Sequence, residues 1–175
     1  KVSFRYYKGI HAETGKELTD ENARKLPVHS IFPMYVDLIL SFTSENAKSE
    51  IGFAPVDEPL LKEVFDNNKY SLIEEFGRKI MLPNPEILLA TKINSVLARG
   101  KTHKGVKDIC DIAALCLFSG MPIDSIIEKS KRFVSPGAIK SFSNADFTDA
   151  VTECSRILGL EPNVINSTIN KIKSK

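Results

Sequence analysis

The most constraining feature of the sequence is a pair of consecutive amphipathic helices predicted between residues 84 and 118. The tripeptide NPE at 84–86 is a typical helix start: Asn caps, Pro fits the first turn and Glu complements the helix dipole. This helix is predicted to end at Gly100, and a second helix is predicted from about Val106 to Phe118. Helices joined by so short a loop are usually antiparallel neighbours, so their apolar faces are expected to pack together.

Both helices carry charged residues on their apolar faces. On a helical wheel of roughly 100° per residue, Lys92 falls inside the apolar stripe, and Arg99 lies on the same face two turns further on. Asp108 and Asp111 are three residues apart and therefore share one face of the second helix. An unpaired buried charge is costly, so we expect Lys92 to face Asp108 or Asp111. Asp108 is also expected in the first helical turn, where the dipole favours an anion.

Two interpretations of these charges remain open at this stage. In the first, they are structural: a salt bridge holds the two helices together, or Lys92 extends out of the stripe to solvent. In the second, they form a site for an anionic ligand. Structural salt bridges are commoner than active sites, so the residues alone favour the first interpretation.

The rest of the chain predicts an α+β fold with two domains. Residues 2–7 and 34–42 are rich in β-branched and aromatic residues, which is typical of strands, and residues 70–76 and 79–83 predict a last strand or a hairpin. The sequence SPGA at 135–138 predicts a turn. We therefore expect a small antiparallel or mixed sheet region at residues 1–82, followed at 83–175 by a five-helix bundle with helices at 84–99, 106–118, 123–133, 144–158 and 162–173.

The composition is that of a globular protein, with 42% hydrophobic and 26% charged residues and a net charge of +2. It excludes disordered, collagen-like and coiled-coil chains. No apolar run is long enough to span a membrane and no signal peptide is visible, so we expect a cytoplasmic protein without a membrane partner. The three cysteines form no CxxC pair and are expected to be buried, reduced thiols.

The segment PEILLATKINSVLARGKTHKGVKDICDIAAL, residues 85–115, resembles the helical signature of the AbiEii/AbiGii type nucleotidyltransferase toxins. These are cytoplasmic, prokaryotic enzymes of the polymerase-beta-like nucleotidyltransferase superfamily. The second helix of that signature has the form [RK]-D-hydrophobic-x-D-hydrophobic, and Cys110 takes the place where Tyr is common. The matching residues are Glu86, Ala90, Lys92 and Arg99 in the first helix, and Lys107, Asp108, Ile109, Asp111 and Ile112 in the second.

The resemblance covers about half of the chain and also implies a metal site. In the superfamily, a strand carries a metal carboxylate within a hydrophobic-[DE]-hydrophobic motif, which Val36-Asp37-Leu38 matches. The Gly-Gly or Gly-Ser turn and Asp-x-Asp pair of the family's first motif are absent from these 175 residues. We expect them on the N-terminal side of Lys1, because the chain starts without methionine in a predicted strand. The sequence would then be the C-terminal portion of a longer protein.

The resemblance implies that the complete protein transfers a nucleoside monophosphate from an NTP to an RNA or protein acceptor. It would use two Mg²⁺ ions and act as the toxin of a toxin–antitoxin or phage-defence pair, with an antitoxin protein as a possible partner. Asp37 would bind Mg²⁺, and Lys92, Arg99 and Lys107 would bind the nucleotide phosphates. Lys92, Asp108 and Asp111 would be the catalytic residues.

A function from a different class is compatible with the same residues. The chain would then be a non-catalytic helical module that binds a protein or nucleic acid. Its contacts would be the basic loop around residues 99–107 and the lysine-rich end NKIKSK at 170–175. Lys92, Asp108 and Asp111 would then form only a structural bridge.

Overall fold

The computed structural model has an α+β fold in two compact units, residues 1–62 and 63–175. The sequence placed the domain boundary after residue 82, whereas this division lies between Lys62 and Glu63. The structure describes residues 4–36, 39–40, 46, 49–50, 56–75, 77–100 and 102–174.

The first unit contains a three-stranded antiparallel sheet. Strands β1 (Phe4–His11), β2 (Glu17–Leu18) and β3 (Ile31–Val36) lie in the order β2-β1-β3. Helix α1 (Asp20–Lys25) lies between β2 and β3 in the chain, and the Thr19 hydroxyl caps it by accepting from the amide of Asn22. The strand predicted at 2–7 is confirmed by β1 over the described residues.

A short parallel pair completes the described strands of this unit. Strand β4 (Ile39–Leu40) pairs with β5 (Val56–Asp57). The strand predicted at 34–42 corresponds to the end of β3 and to β4. Asp37, which the resemblance implies as a metal ligand, falls between them and lies outside the described residues.

The second unit begins with a short helix and a β-hairpin. Helix α2 (Leu61–Phe65) crosses the division between the units, and β6 (Tyr70–Glu75) pairs with β7 (Arg78–Pro83). The antiparallel register sets Leu72 opposite Met81 and confirms the predicted hairpin. Both of these side chains are about half exposed or more, at 62% and 48%.

Six helices follow the hairpin within the described residues, where the sequence predicted five. The additional helix is formed by residues 136–144, where the sequence predicted a turn. The six are α3 (Pro85–Arg99), α4 (His103–Phe118), α5 (Ile123–Lys131), α6 (Pro136–Asn144), α7 (Thr148–Leu158) and α8 (Pro162–Lys173).

Helix α6 forms because its first residues are a helix start. The Ser135 hydroxyl accepts a hydrogen bond from the amide of Ala138, and Pro136 occupies the first helical turn, where its missing N–H costs nothing. The prediction of a turn was wrong because Ser, Pro and Gly are common both in turns and at helix N-termini.

Helices α3 and α4 are at the centre of the helical unit. Helix α3 contacts α4, α5 and α6, and α4 contacts α7 and α8. Leu89 of α3 and Ile112 of α4 are wholly buried, and each such side chain contributes about 1.5–3 kcal/mol to stability. Asn94 of α3 also accepts from the amide of Ser135 and donates to the carbonyl of Phe133, so one amide fixes the loop between α5 and α6.

The predicted buried thiols are confirmed. Cys110, Cys116 and Cys154 are buried and free. Burial raises the pKa of Cys116 to about 11 and that of Cys154 to about 12, so these thiols are protonated at neutral pH.

The turn between α3 and α4 depends on a close backbone approach at Gly105. This residue is buried in the first turn of α4, and a Cβ atom there would overlap the carbonyl oxygen of Gly100. Glycine at this position therefore sets how closely α4 returns along α3.

We expect Gly105→Ala to lower the free energy of unfolding by about 1–3 kcal/mol, because the added methyl group forces the turn open. The matched control is Gly137→Ala in α6, where a Cβ meets nothing within 4 Å and a helix favours Ala. Urea denaturation followed by circular dichroism measures both. Equal stability of the two variants would contradict the close approach.

Candidate functional site

The candidate site lies on the facing sides of α3 and α4. Helix α4 begins at His103 instead of the predicted Val106, because Thr102 caps it by accepting from the amide of Gly105 at 3.3 Å. Asp108 therefore lies beyond the first turn, and the prediction that the helix dipole stabilises it was wrong. The carboxylate must be stabilised by side chains instead.

The Asp108 carboxylate is wholly buried and receives three side chains from α3. Arg99 Nη1 lies 2.8 and 2.7 Å from its two oxygens, and Lys92 Nζ lies 3.0 Å from Oδ1. The Ser95 hydroxyl lies 3.3 Å from Oδ2 and 3.2 Å from the carbonyl oxygen of Lys92, so it shares its one proton between them. Two cations and a hydroxyl offset the large cost of removing this charge from water.

Lys92 connects the buried carboxylate to a more accessible one. Its ammonium also lies 2.6 Å from Asp111 Oδ2, and the side chains of Lys92 and Asp111 are 27% and 34% exposed. Burial by itself lowers the pKa of Lys92, but the hydrogen bonds with Asp111 and Asp108 outweigh it and raise the pKa above the ordinary 10.5. The lysine is therefore charged at neutral pH. An ammonium has three N–H donors and these two contacts use two of them.

Lys92 and Asp111 open onto a groove of about 400 Å³ between the two helices. Apart from these two residues, its wall is mostly apolar. The other lining residues are Leu88, Ala114, Leu115, Phe118 and Ser119.

The structure brings together four of the six residues selected from the sequence. Lys92, Arg99, Asp108 and Asp111 form one connected cluster, which confirms the expected contact of Lys92 with the aspartates. Lys107 is exposed and lines a second groove with His103, Glu153 and Asp111, one turn before Asp111 on α4, but it makes none of the ion pairs of the cluster. Asp37 is outside the described residues.

Sequence reasoning missed one polar residue of the cluster, Ser95. It lies one turn after Lys92, and its spacing from Arg99 would have placed it on the same face. A serine is common on any helix, so its type carried no signal.

The described residues contain no group of three or more His, Cys, Asp or Glu side chains that could hold a metal ion. None of their helices is both long and apolar enough to cross a membrane.

Comparison of the chain with protein-family models, curated proteins and solved structures finds no match. What the geometry provides is a charged lysine with a spare donor, held by two carboxylates of unequal exposure beside an apolar groove.

We expect Arg99→Ala to lower the free energy of unfolding by about 2–3 kcal/mol, because the buried Asp108 loses its two-oxygen partner. Arg156→Ala is the matched control: it removes an exposed arginine paired with Glu153, and little change is expected. Urea denaturation measures both. If Arg99→Ala left the free energy of unfolding unchanged, this would mean that Asp108 does not need this cation.

The raised pKa of Lys92 predicts a stability effect at alkaline pH. The contribution of its ion pairs is complete below the unfolded pKa near 10.5 and is lost as pH rises through the higher folded pKa. The stability difference between wild type and Lys92→Met should be constant from about pH 7 to 9 and shrink above about 10.5. Lys131→Met, which removes a lysine of a surface pair, controls for general alkaline effects. A difference already falling between pH 7 and 9 would contradict a raised pKa.

Proposed function

We propose that this chain supplies the helical part of a nucleotidyltransferase related to the AbiEii/AbiGii type toxins. The enzyme transfers a nucleoside monophosphate from an NTP to a hydroxyl of an RNA or protein acceptor. The observation that supports this best is Lys92, a charged lysine with a spare donor held between Asp108 and Asp111 at the edge of an open groove.

In the proposed reaction, the acceptor oxygen forms a bond with the α-phosphorus of the NTP, and the bond to the β-phosphate oxygen breaks to release pyrophosphate. Lys92 donates its remaining N–H to a phosphate oxygen as charge develops on the phosphates. Asp111, one third exposed, accepts the proton of the acceptor hydroxyl as its oxygen bonds to the α-phosphorus.

Asp108 and Arg99 have a different role in this proposal. Asp108 is wholly buried, so it positions Lys92 without touching the substrate, and Arg99 holds Asp108 in place through both of its carboxylate oxygens. Lys107, exposed on α4, would contact a phosphate of an RNA acceptor more readily than those of the nucleotide.

The resemblance implies Mg²⁺, but the described residues do not provide a ligand set for it. Asp108 and Asp111 are both paired with cations, which disfavours them as metal ligands. Asp37 remains the proposed ligand of this chain, and no step of the reaction is assigned to the metal. In the same proposal, the protein acts as a toxin in a prokaryotic cytoplasm and has an antitoxin protein as its partner.

A non-catalytic binding module is the second candidate. It is favoured by the fact that each charge of the cluster already faces an opposite charge without a ligand. Its contact surface would be the exposed His103, Lys104 and Lys107 at the start of α4.

We expect Lys92→Ala in the full-length protein to reduce nucleotide transfer by about 100- to 1,000-fold while the helical circular dichroism signal is retained. The assay follows transfer of label from each of four α-labelled NTPs to RNA and to protein. Lys131→Ala removes a lysine of similar exposure from α5 and should leave transfer unchanged. Wild-type transfer by Lys92→Ala would exclude the proposed enzyme role, and absence of transfer by the wild type would favour the binding module.

A further inference from the structure

The groove beside Lys92 has an apolar end formed by an exposed aromatic ring. Phe118 is the last residue of α4 and, at 63%, the most exposed large apolar side chain among the residues described. Leu88 of α3 and Leu115 of α4 line the same groove. An exposed phenylalanine beside two leucines leaves an apolar surface in water, a feature that often marks a binding site.

The polar end of the groove lies at a fixed distance from this ring along α4. Asp111, Leu115 and Phe118 are at positions i, i+4 and i+7, so they share one face, and Phe118 lies about 10 Å along the axis from Asp111. Lys92 meets Asp111 at the polar end. The groove thus offers a cationic donor and an aromatic face about two turns of α4 apart.

A nucleotide fits this combination better than a protein partner does. A base can stack on the ring of Phe118 and contact Leu115 while its 5′-phosphates accept from Lys92. A stable protein interface needs about 1,000 Å² or more of buried surface, whereas this groove extends over only two turns of α4.

We propose that the groove between α3 and α4 binds the nucleoside part of the NTP, with the base stacked on Phe118 and the phosphates at Lys92. This inference rests on the proposed function and adds the position of the base to it. Because stacking tolerates any base, Phe118 contributes affinity for all four NTPs.

The absence of tryptophan from the sequence gives a direct test. Phe118→Trp places a fluorophore at the proposed stacking position, and its emission is recorded during titration with ATP, GTP, CTP, UTP and inorganic tripolyphosphate. We expect quenching by the four NTPs and not by tripolyphosphate, and loss of the quenching when Lys92→Ala is added.

Calorimetry on Phe118→Ala provides the second readout. We expect its affinity for NTPs to fall by about tenfold, as for the loss of one base–aromatic stack, with unchanged affinity for tripolyphosphate. Phe65→Ala is the matched control, since Phe65 is 50% exposed on α2 and lines no part of the groove. It should bind NTPs as the wild type does.

The outcomes separate this inference from the proposed function. NTP binding that depends on Lys92 but is unaffected by Phe118→Ala and causes no quenching would overturn the base site and leave the enzyme proposal standing. Absence of binding by both NTPs and tripolyphosphate would remove the proposed function and the inference together. Self-association that is abolished by Phe118→Ala, with NTP affinity unchanged, would assign the groove to a second copy of the chain and overturn the inference.

Discussion

The carboxylate of Asp108, closed off from water at the centre of the helical unit, is the group on which the arrangement of α3 and α4 depends. Two cations and a hydroxyl of α3 reach it, and Arg99 contacts both of its oxygens. A buried carboxylate cannot move far from its donors, because each lost hydrogen bond leaves the desolvation cost of the carboxylate uncompensated. The relative position of the two helices is therefore fixed by polar contacts as well as by apolar packing. Lys92 is oriented as a consequence.

The backbone around this pair supports the same geometry. The close approach of Gly105 to Gly100 brings α4 back along α3, and Thr102 caps α4 three residues earlier than its apolar pattern suggests. On another side of α3, Asn94 holds the loop before α6. Helix α3 is thus tied by side-chain hydrogen bonds to α4 and to the α5–α6 loop, and the site is built on a helix that is fixed at both places.

The sequence predicted side-chain contacts where a charged residue occurs among apolar ones. Lys92 in an apolar stripe required an acidic partner, and the helical period pointed to Asp108 and Asp111. The first residue of α4 could not be derived, because a threonine in a basic loop becomes a cap only once the helix forms. The prediction of a turn at residues 135–138 was wrong for a related reason, since the same residues suit both a turn and a helix start. The apolar wall around Phe118 was not foreseen, because an apolar residue at a helix end is ordinary until its exposure is known.

The cluster of Lys92, Arg99, Asp108 and Asp111 contains two positive and two negative charges, and this balance has a consequence for how anions approach. The net charge of this group is zero, so it adds nothing to the +2 charge of the chain. Its electrostatic potential also decays quickly with distance. Diffusional steering of an anion would come from unpaired surface lysines such as Lys104 and Lys107. In the proposed function, the cluster would therefore act at contact range, and it would select an anion by hydrogen-bond geometry after the encounter instead of by attraction before it.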